Sequence, residues 1–115
     1  MQYALLIREL PGEFEALDAQ EQEAVSAEYL TIRSDPRVVG GAHLAPAHTA
    51  STVRVKEGDA LVTDGPFADT KEVFGGYFLC EADDLDAAIQ VAARIPAARF
   101  GGSVEIRPIV PSPPA

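Results

Sequence analysis

Charged and polar residues gather most densely in residues 63–77, between two apolar runs that favour β-strands. The segment contains Asp64, Asp69, Lys71 and Glu72 together with three glycines. This composition is typical of a polar loop that leads into a glycine-containing strand. Because a hydrophobic core does not accommodate so many charges, we expect these side chains to face solvent or a pocket.

Asp64 is the candidate acid–base residue of this segment. Pro66 fixes its own φ near about −65° and Gly65 has no Cβ, so the sequence predicts a stiff corner that aims the Asp64 carboxylate. We therefore expect Asp64 to line a cavity, where a carboxylate can transfer a proton. The alternative is an Asx-type turn, in which Asp64 only accepts a hydrogen bond from the backbone that follows it.

The two histidines, His43 and His48, are the candidate partners of Asp64. A carboxylate next to an imidazole orients the ring and raises its basicity, which makes a catalytic dyad. We predict that His43, at the end of an apolar run, supplies the imidazole. His48 follows Pro46 in a short loop and is expected to be an exposed side chain.

Four further residues are candidate substrate-binding groups. Lys71 and Glu72 are neighbours, so on an extended backbone only one of them shares a pocket with Asp64; Lys71 is the choice for a substrate carboxylate. Arg54 is a candidate anion clamp and Tyr29 a candidate pocket wall. The alternatives are a surface ion pair for Lys71, charge balance for Arg54 and core packing for Tyr29.

The positions of apolar residues, caps and breaks predict the elements that carry these groups. The order is β-α-β-β-β-α-β, with the third and fourth strands forming a hairpin around Glu57-Gly58-Asp59. One helix begins with a capping box at Asp18 and Glu21 and runs to about Arg33; the other is capped by Asp83. The predicted strands are residues 2–8, 38–44, 51–56, 60–63, 73–81 and 103–109, and the second helix is residues 84–95.

This order predicts an α+β fold, namely a ferredoxin-like unit whose antiparallel sheet gains one strand from the hairpin and carries both helices on one face. Residues 1–110 are expected to form one domain and residues 111–115 a proline-rich tail. Two helices cover one sheet face only. Because apolar residues point to both faces, the sequence predicts a homodimer that buries the bare sheet face.

The amino-acid composition limits the classes of binding partner that the protein is expected to have. The net charge of −9 argues against nucleic acid, and no apolar run approaches the length of a membrane span. The single cysteine, Cys80, fits a cytoplasmic location and is expected to be a buried structural thiol. Neither a phosphate-binding glycine loop nor metal-ligand spacing occurs, so no cofactor or metal is implied. A small molecule is the expected ligand.

Three groups of residues resemble the YCII-related proteins, in particular their DGPF-motif branch. They are Asp64-Gly65-Pro66-Phe67, Thr70-Lys71-Glu72 and Gly75-Gly76-Tyr77, with further matches at residues 52–54, 84–88 and 104–108. The resemblance covers roughly residues 1–110. It implies that the ferredoxin-like unit pairs into a dimeric α/β barrel, as in muconolactone isomerases.

The resemblance also implies a dyad between the Asp of the motif and a histidine on the first helix. Here that helix offers Glu28, Tyr29 and Arg33 and no histidine, so His43 would be a substitute. Two functions stay open. One is a small lyase, isomerase or hydrolase that acts on an organic acid or ring substrate. The other is a non-catalytic ligand-binding or regulatory module, because relatives are often encoded beside alternative sigma factors.

Overall fold

A four-stranded antiparallel sheet with two helices on one face carries the fold in a computed structural model that describes residues 1–66 and 70–111. Phe67 of the motif and the tail residues 112–115 lie outside the described residues. The elements are β1 (Gln2–Glu9), α1 (Ala19–Arg33), β2 (Val38–His43), β3 (Ser51–Lys56), β4 (Asp59–Asp64), β5 (Val73–Glu81), α2 (Leu85–Ala92) and β6 (Ser103–Pro108). Short 3-10 turns occur at Ala47–Thr49 and Pro96–Arg99.

The strand order is β2-β5-β1-β6, and every neighbouring pair is antiparallel. Leaving the hairpin aside, this is the order of a ferredoxin-like βαββαβ unit. The α+β fold and the two-helix layer predicted from the sequence are therefore confirmed. The two central strands, β1 and β5, pair along their whole length, from Gln2 opposite Glu81 to Glu9 opposite Val73. The register shifts once, between Ile7 and Arg8.

The core lies between the sheet and the two helices. Tyr3, Leu5 and Ile7 alternate along β1 and are buried, and Leu5 pairs with the buried Phe78 of β5. Alternation puts every second side chain of a strand on one face, so these residues define the helix-covered face. Cys80 is buried on the same face, as expected, and burial raises the pKa of its thiol.

Helix α1 begins and packs as its sequence predicts. Asp18 is the N-cap and its Oδ1 accepts a hydrogen bond of 2.8 Å from the Glu21 backbone N–H, which satisfies one of the free donors of the first turn. Val25 and Ile32 are buried because the face of the helix that carries them packs on the sheet. Tyr29 lies on that face and is half-buried.

The cap of α2 differs from the prediction by one residue. Asp84, not Asp83, accepts the hydrogen bond from the Ala87 backbone N–H, at 2.9 Å. The predicted cap at Asp83 was wrong because two adjacent aspartates both suit a cap, and only the phase of the helix decides between them. The helix also ends at Ala92 instead of residue 95, and the 3-10 turn at Pro96–Arg99 follows.

Strands β3 and β4 form a hairpin of their own and do not extend the main sheet. The strands were placed correctly, but the idea that they add a strand to the sheet was wrong. After β2 the chain passes through Pro46, which has no N–H to donate, and then through the 3-10 turn. The pairing of β2 with β5 is irregular between Val38 and Gly40.

An ion-pair cluster joins the ends of both helices to the start of β2. The Asp35 carboxylate accepts hydrogen bonds from Arg37 Nη2 at 2.9 Å and from Arg94 Nη1 at 2.8 Å, and its side chain is only 9% exposed. These guanidinium groups hold the pKa of Asp35 well below its usual range, with the Arg37 hydrogen bonds as the main cause.

Neither helix of the described chain has the length and apolar character needed to cross a lipid bilayer.

Candidate functional site

A cavity of about 1240 Å³ opens between α1 and the sheet. Its walls come from the segment that leads into α1, from α1 itself, from the end of β2 with the 3-10 turn that follows, and from the first half of β5. The 3-10 turn at Pro96–Arg99 closes one side. Most lining residues are apolar or aromatic, which suits an organic ligand.

Tyr29 is the half-buried polar group that α1 contributes to this cavity. Its ring lies 6.4 Å from the ring of Phe78, centroid to centroid, and both rings line the cavity. The pKa of the Tyr29 phenol is raised, first by burial and then by the negative charge of Glu9, while the backbone of Ala97 opposes the shift. A phenol in this setting stays protonated at neutral pH and can donate a hydrogen bond to a ligand.

His43 and His48 both line the cavity from the β2 side. His43 is the last residue of β2 and lies opposite Gly76 of β5, whereas His48 belongs to the 3-10 turn. Both side chains are exposed. Of the residues singled out in the sequence, the structure therefore brings Tyr29 and His43 together at one cavity.

Asp64 lies elsewhere, at the base of the hairpin. It is the last residue of β4, it pairs with Ser51, and it is exposed. Its carboxylate makes no hydrogen bond with the residues that the structure describes. The corner is held instead by its backbone, because the Gly65 N–H donates to the Ala50 carbonyl at 2.7 Å. Among the described residues, none that lines the cavity comes from β3 or β4.

The three other candidate binding residues also lie away from the cavity lining. Arg54 is exposed on β3 opposite Leu61. Lys71 is exposed and Glu72 is half-buried, just before β5 begins. Thr70 stabilises this short segment, since its hydroxyl donates to the Glu72 carbonyl. Within residues 1–66 and 70–111, no three His, Cys, Asp or Glu side chains are grouped so that they could hold a metal ion.

Glu9 is the cavity residue that the sequence analysis missed. It ends β1 on the same side as Ile7, by strand alternation, and it lines the cavity. The buried Gly75 makes room for it: a Cβ at Gly75 would lie 2.5 Å from Glu9 Cδ and 2.7 and 2.8 Å from the two carboxylate oxygens. The available signal was a single acidic residue at the end of a mainly apolar first strand.

Comparison with known proteins agrees with this fold and adds the family. The sequence profile of the YCII-related domain matches residues 1–113, so the chain belongs to the YCII-related family. An uncharacterised protein of Rhizobium meliloti (strain 1021) is 41% identical over 69 residues. The matched segment is 59% of this chain and 56% of that relative, so it spans little more than half of the relative's length.

Proposed function

We propose that this YCII-related protein binds a small organic molecule in the cavity between α1 and the sheet. The observation that carries the proposal is the cavity itself, in which the Tyr29–Phe78 pair forms an aromatic wall beside the polar groups of Glu9 and His43. A concave, mainly apolar surface with a few convergent polar groups is the usual form of a ligand site.

Binding is favoured over turnover by the separation of the candidate dyad. His43 lines the cavity while Asp64 is exposed at the hairpin base, so the carboxylate that would orient the imidazole is not among the lining residues that the structure describes. This arrangement supports the ligand-binding or regulatory module that the family resemblance implies. Acid–base chemistry on an organic acid or ring, with Tyr29 and His43 as the proton carriers, is the second candidate.

The proposed function also includes a cytoplasmic location for the protein.

A tryptophan placed at the mouth of the cavity tests the binding site. Ser26 and Ala27 are adjacent, exposed residues of α1, but only Ser26 lines the cavity. Aromatic fragments screened by saturation-transfer NMR should bind the native protein and the Ala27→Trp variant, and Ser26→Trp should weaken binding at least about tenfold by filling space. Equal binding to all three proteins would place the ligand site outside the cavity.

We also propose that two copies pair through the sheet face that the helices leave uncovered. Ala4 of β1 pairs with Leu79 of β5, on the face opposite the core, and both are only half-buried. The molecule is 19 Å thick in its thinnest direction, which is one sheet and one helix layer. Its radius of gyration of 16.2 Å exceeds the roughly 13 Å typical of a compact chain of this length.

Light scattering tests the pairing. The native protein should have twice the 12.2 kDa chain mass at micromolar concentration, and Leu79→Lys should shift it to monomer. Ile89→Lys is the matched control, because Ile89 is an exposed apolar residue of α2 and lies in the opposite layer. A native protein that runs as a monomer would contradict the proposal.

A further inference from the structure

The Glu9 carboxylate occupies the floor of the cavity. It rests above Gly75, at the place where any other residue would have a Cβ. Gly75 is buried and Glu9 is half-buried, so the carboxylate has given up part of its contact with water. The remaining charged and histidine side chains that line the cavity are all exposed, namely Glu13, Glu15, Arg33, His43 and His48.

Among the residues that the structure describes, Glu9 has no partner of opposite charge. No hydrogen bond or ion pair joins its side chain to any residue in the described part of the chain. Its neighbour Arg8 points to the opposite sheet face, where it pairs with Glu105 and lies 5.4 Å from the centre of the Phe74 ring. A partly desolvated carboxylate without a cation is costly, which makes it a natural contact for a bound positive charge.

The surroundings of Glu9 also suit a cation. Tyr29 and Phe78 present aromatic rings to the same cavity, and the faces of such rings attract ammonium groups. Glu9 and Tyr29 both line the cavity, and the negative charge of Glu9 contributes to the raised pKa of the Tyr29 phenol. His43 belongs to β2, which the strand β5 separates from β1 and Glu9.

We propose that the cavity binds an organic cation, with an ammonium group on the Glu9 carboxylate and an apolar or aromatic body against Tyr29 and Phe78. This inference rests on the proposed ligand site and names its chemical class. An organic acid would place its carboxylate against Glu9, the most buried charge of the lining, and would be repelled. The acidic balance of the chain adds to the preference for a cation.

Three probes of similar shape and different charge test the inference. They are 2-phenylethylammonium, 2-phenylethanol and 3-phenylpropionate, titrated at neutral pH while the amide signals of Tyr29 and Phe78 are followed by NMR. The ammonium probe should bind about tenfold more tightly than the alcohol, and the carboxylate probe should bind least. Equal affinities for the three would overturn the cation inference and leave the ligand site standing. If none of the probes shifted the cavity signals, both proposals would fail.

Two variants assign the preference to Glu9. Glu9→Gln keeps the shape and removes the charge, so the ammonium and alcohol probes should then bind within about twofold of each other. Glu23→Gln, on the exposed part of α1 outside the cavity, should retain the native preference. Gly75→Ala should also abolish it, because the new Cβ displaces the carboxylate and its nearest contacts are with the end of that flexible side chain. A preference that survives both Glu9→Gln and Gly75→Ala would assign the selectivity to another group.

Discussion

The cavity and the hairpin are both built from the motif segment, yet they differ in almost every physical respect. The cavity floor is formed by Gly75 and Gly76, which are buried between neighbouring strands. The hairpin carries Asp64 at its base and leaves Val53 and Val62 60% and 65% exposed. Asp64 and Lys71 of the motif are thus exposed, while Gly75 and Gly76 are buried and line the cavity.

The difference shows that one continuous motif serves two structural purposes. Glycine at position 75 has a steric reason, which is the space taken by the Glu9 carboxylate. Glycine at position 65 has a conformational reason, because its φ is +100° and no described residue lies within 4 Å of where a Cβ would be. The two kinds of glycine make different predictions for the same type of substitution.

The largest effect is expected for Gly76→Ala. A Cβ there would lie 2.6 Å from the Ala42 carbonyl oxygen, so β2 and β5 must separate. Overpacking against backbone should lower the free energy of unfolding by about 3 kcal/mol, measured by urea denaturation. Gly75→Ala is the control, since the three nearest contacts of the new Cβ are all with the flexible Glu9 side chain, and it should cost less than about 1 kcal/mol. Equal losses for the two variants would remove the distinction between the neighbouring glycines.

The next effect concerns the ion-pair cluster that joins the ends of both helices to the start of β2. Asp35→Asn should lower the free energy of unfolding by about 2 kcal/mol at pH 7, because two guanidinium groups lose their charged partner. The exposed Asp83→Asn should have little effect.

The pH dependence gives a second test of this cluster. The folded pKa of Asp35 lies below its unfolded value, so its stabilisation is present above about pH 4 and is lost as the pH falls towards the folded pKa. Urea unfolding at pH 7 and pH 3 should therefore show a smaller difference between native protein and Asp35→Asn at the lower pH. A constant difference would mean that the carboxylate charge is not the cause.

At the hairpin base, Gly65→Val should cost about 1–2 kcal/mol through backbone strain alone. The positive φ is one that β-branched residues avoid, although a Cβ at Gly65 would contact no described residue. Ala60→Val adds a side chain of the same size within β4 and should change stability by less than about 0.5 kcal/mol. Unchanged thermal melting of Gly65→Val would show that the corner relaxes freely.

The local features of the fold were predictable and the distant contacts were not. The capping box at Asp18 and the breaks at proline lie within a few residues of the structures they cause, so the sequence alone placed α1 and the strands. The contact between Glu9 and Gly75 joins residues that are far apart in the chain. The sequence around neither residue predicts this contact. For the same reason the hairpin was found as two strands but attached to the wrong place, since its position depends on the path of the chain after β2.

The smallest effect on stability is expected on the apolar face of the hairpin. Val53 and Val62 pair with each other and are mostly exposed, so each gains little from folding of the isolated chain. Val62→Thr keeps a β-branched side chain and should change the free energy of unfolding by less than about 0.5 kcal/mol at low protein concentration. Repeating the denaturation at increasing concentration separates the roles of the two regions. If the second copy also covers the hairpin, the native protein gains stability with concentration and Val62→Thr gains less. A concentration dependence that is identical in the two proteins would confine the contact between copies to the main sheet.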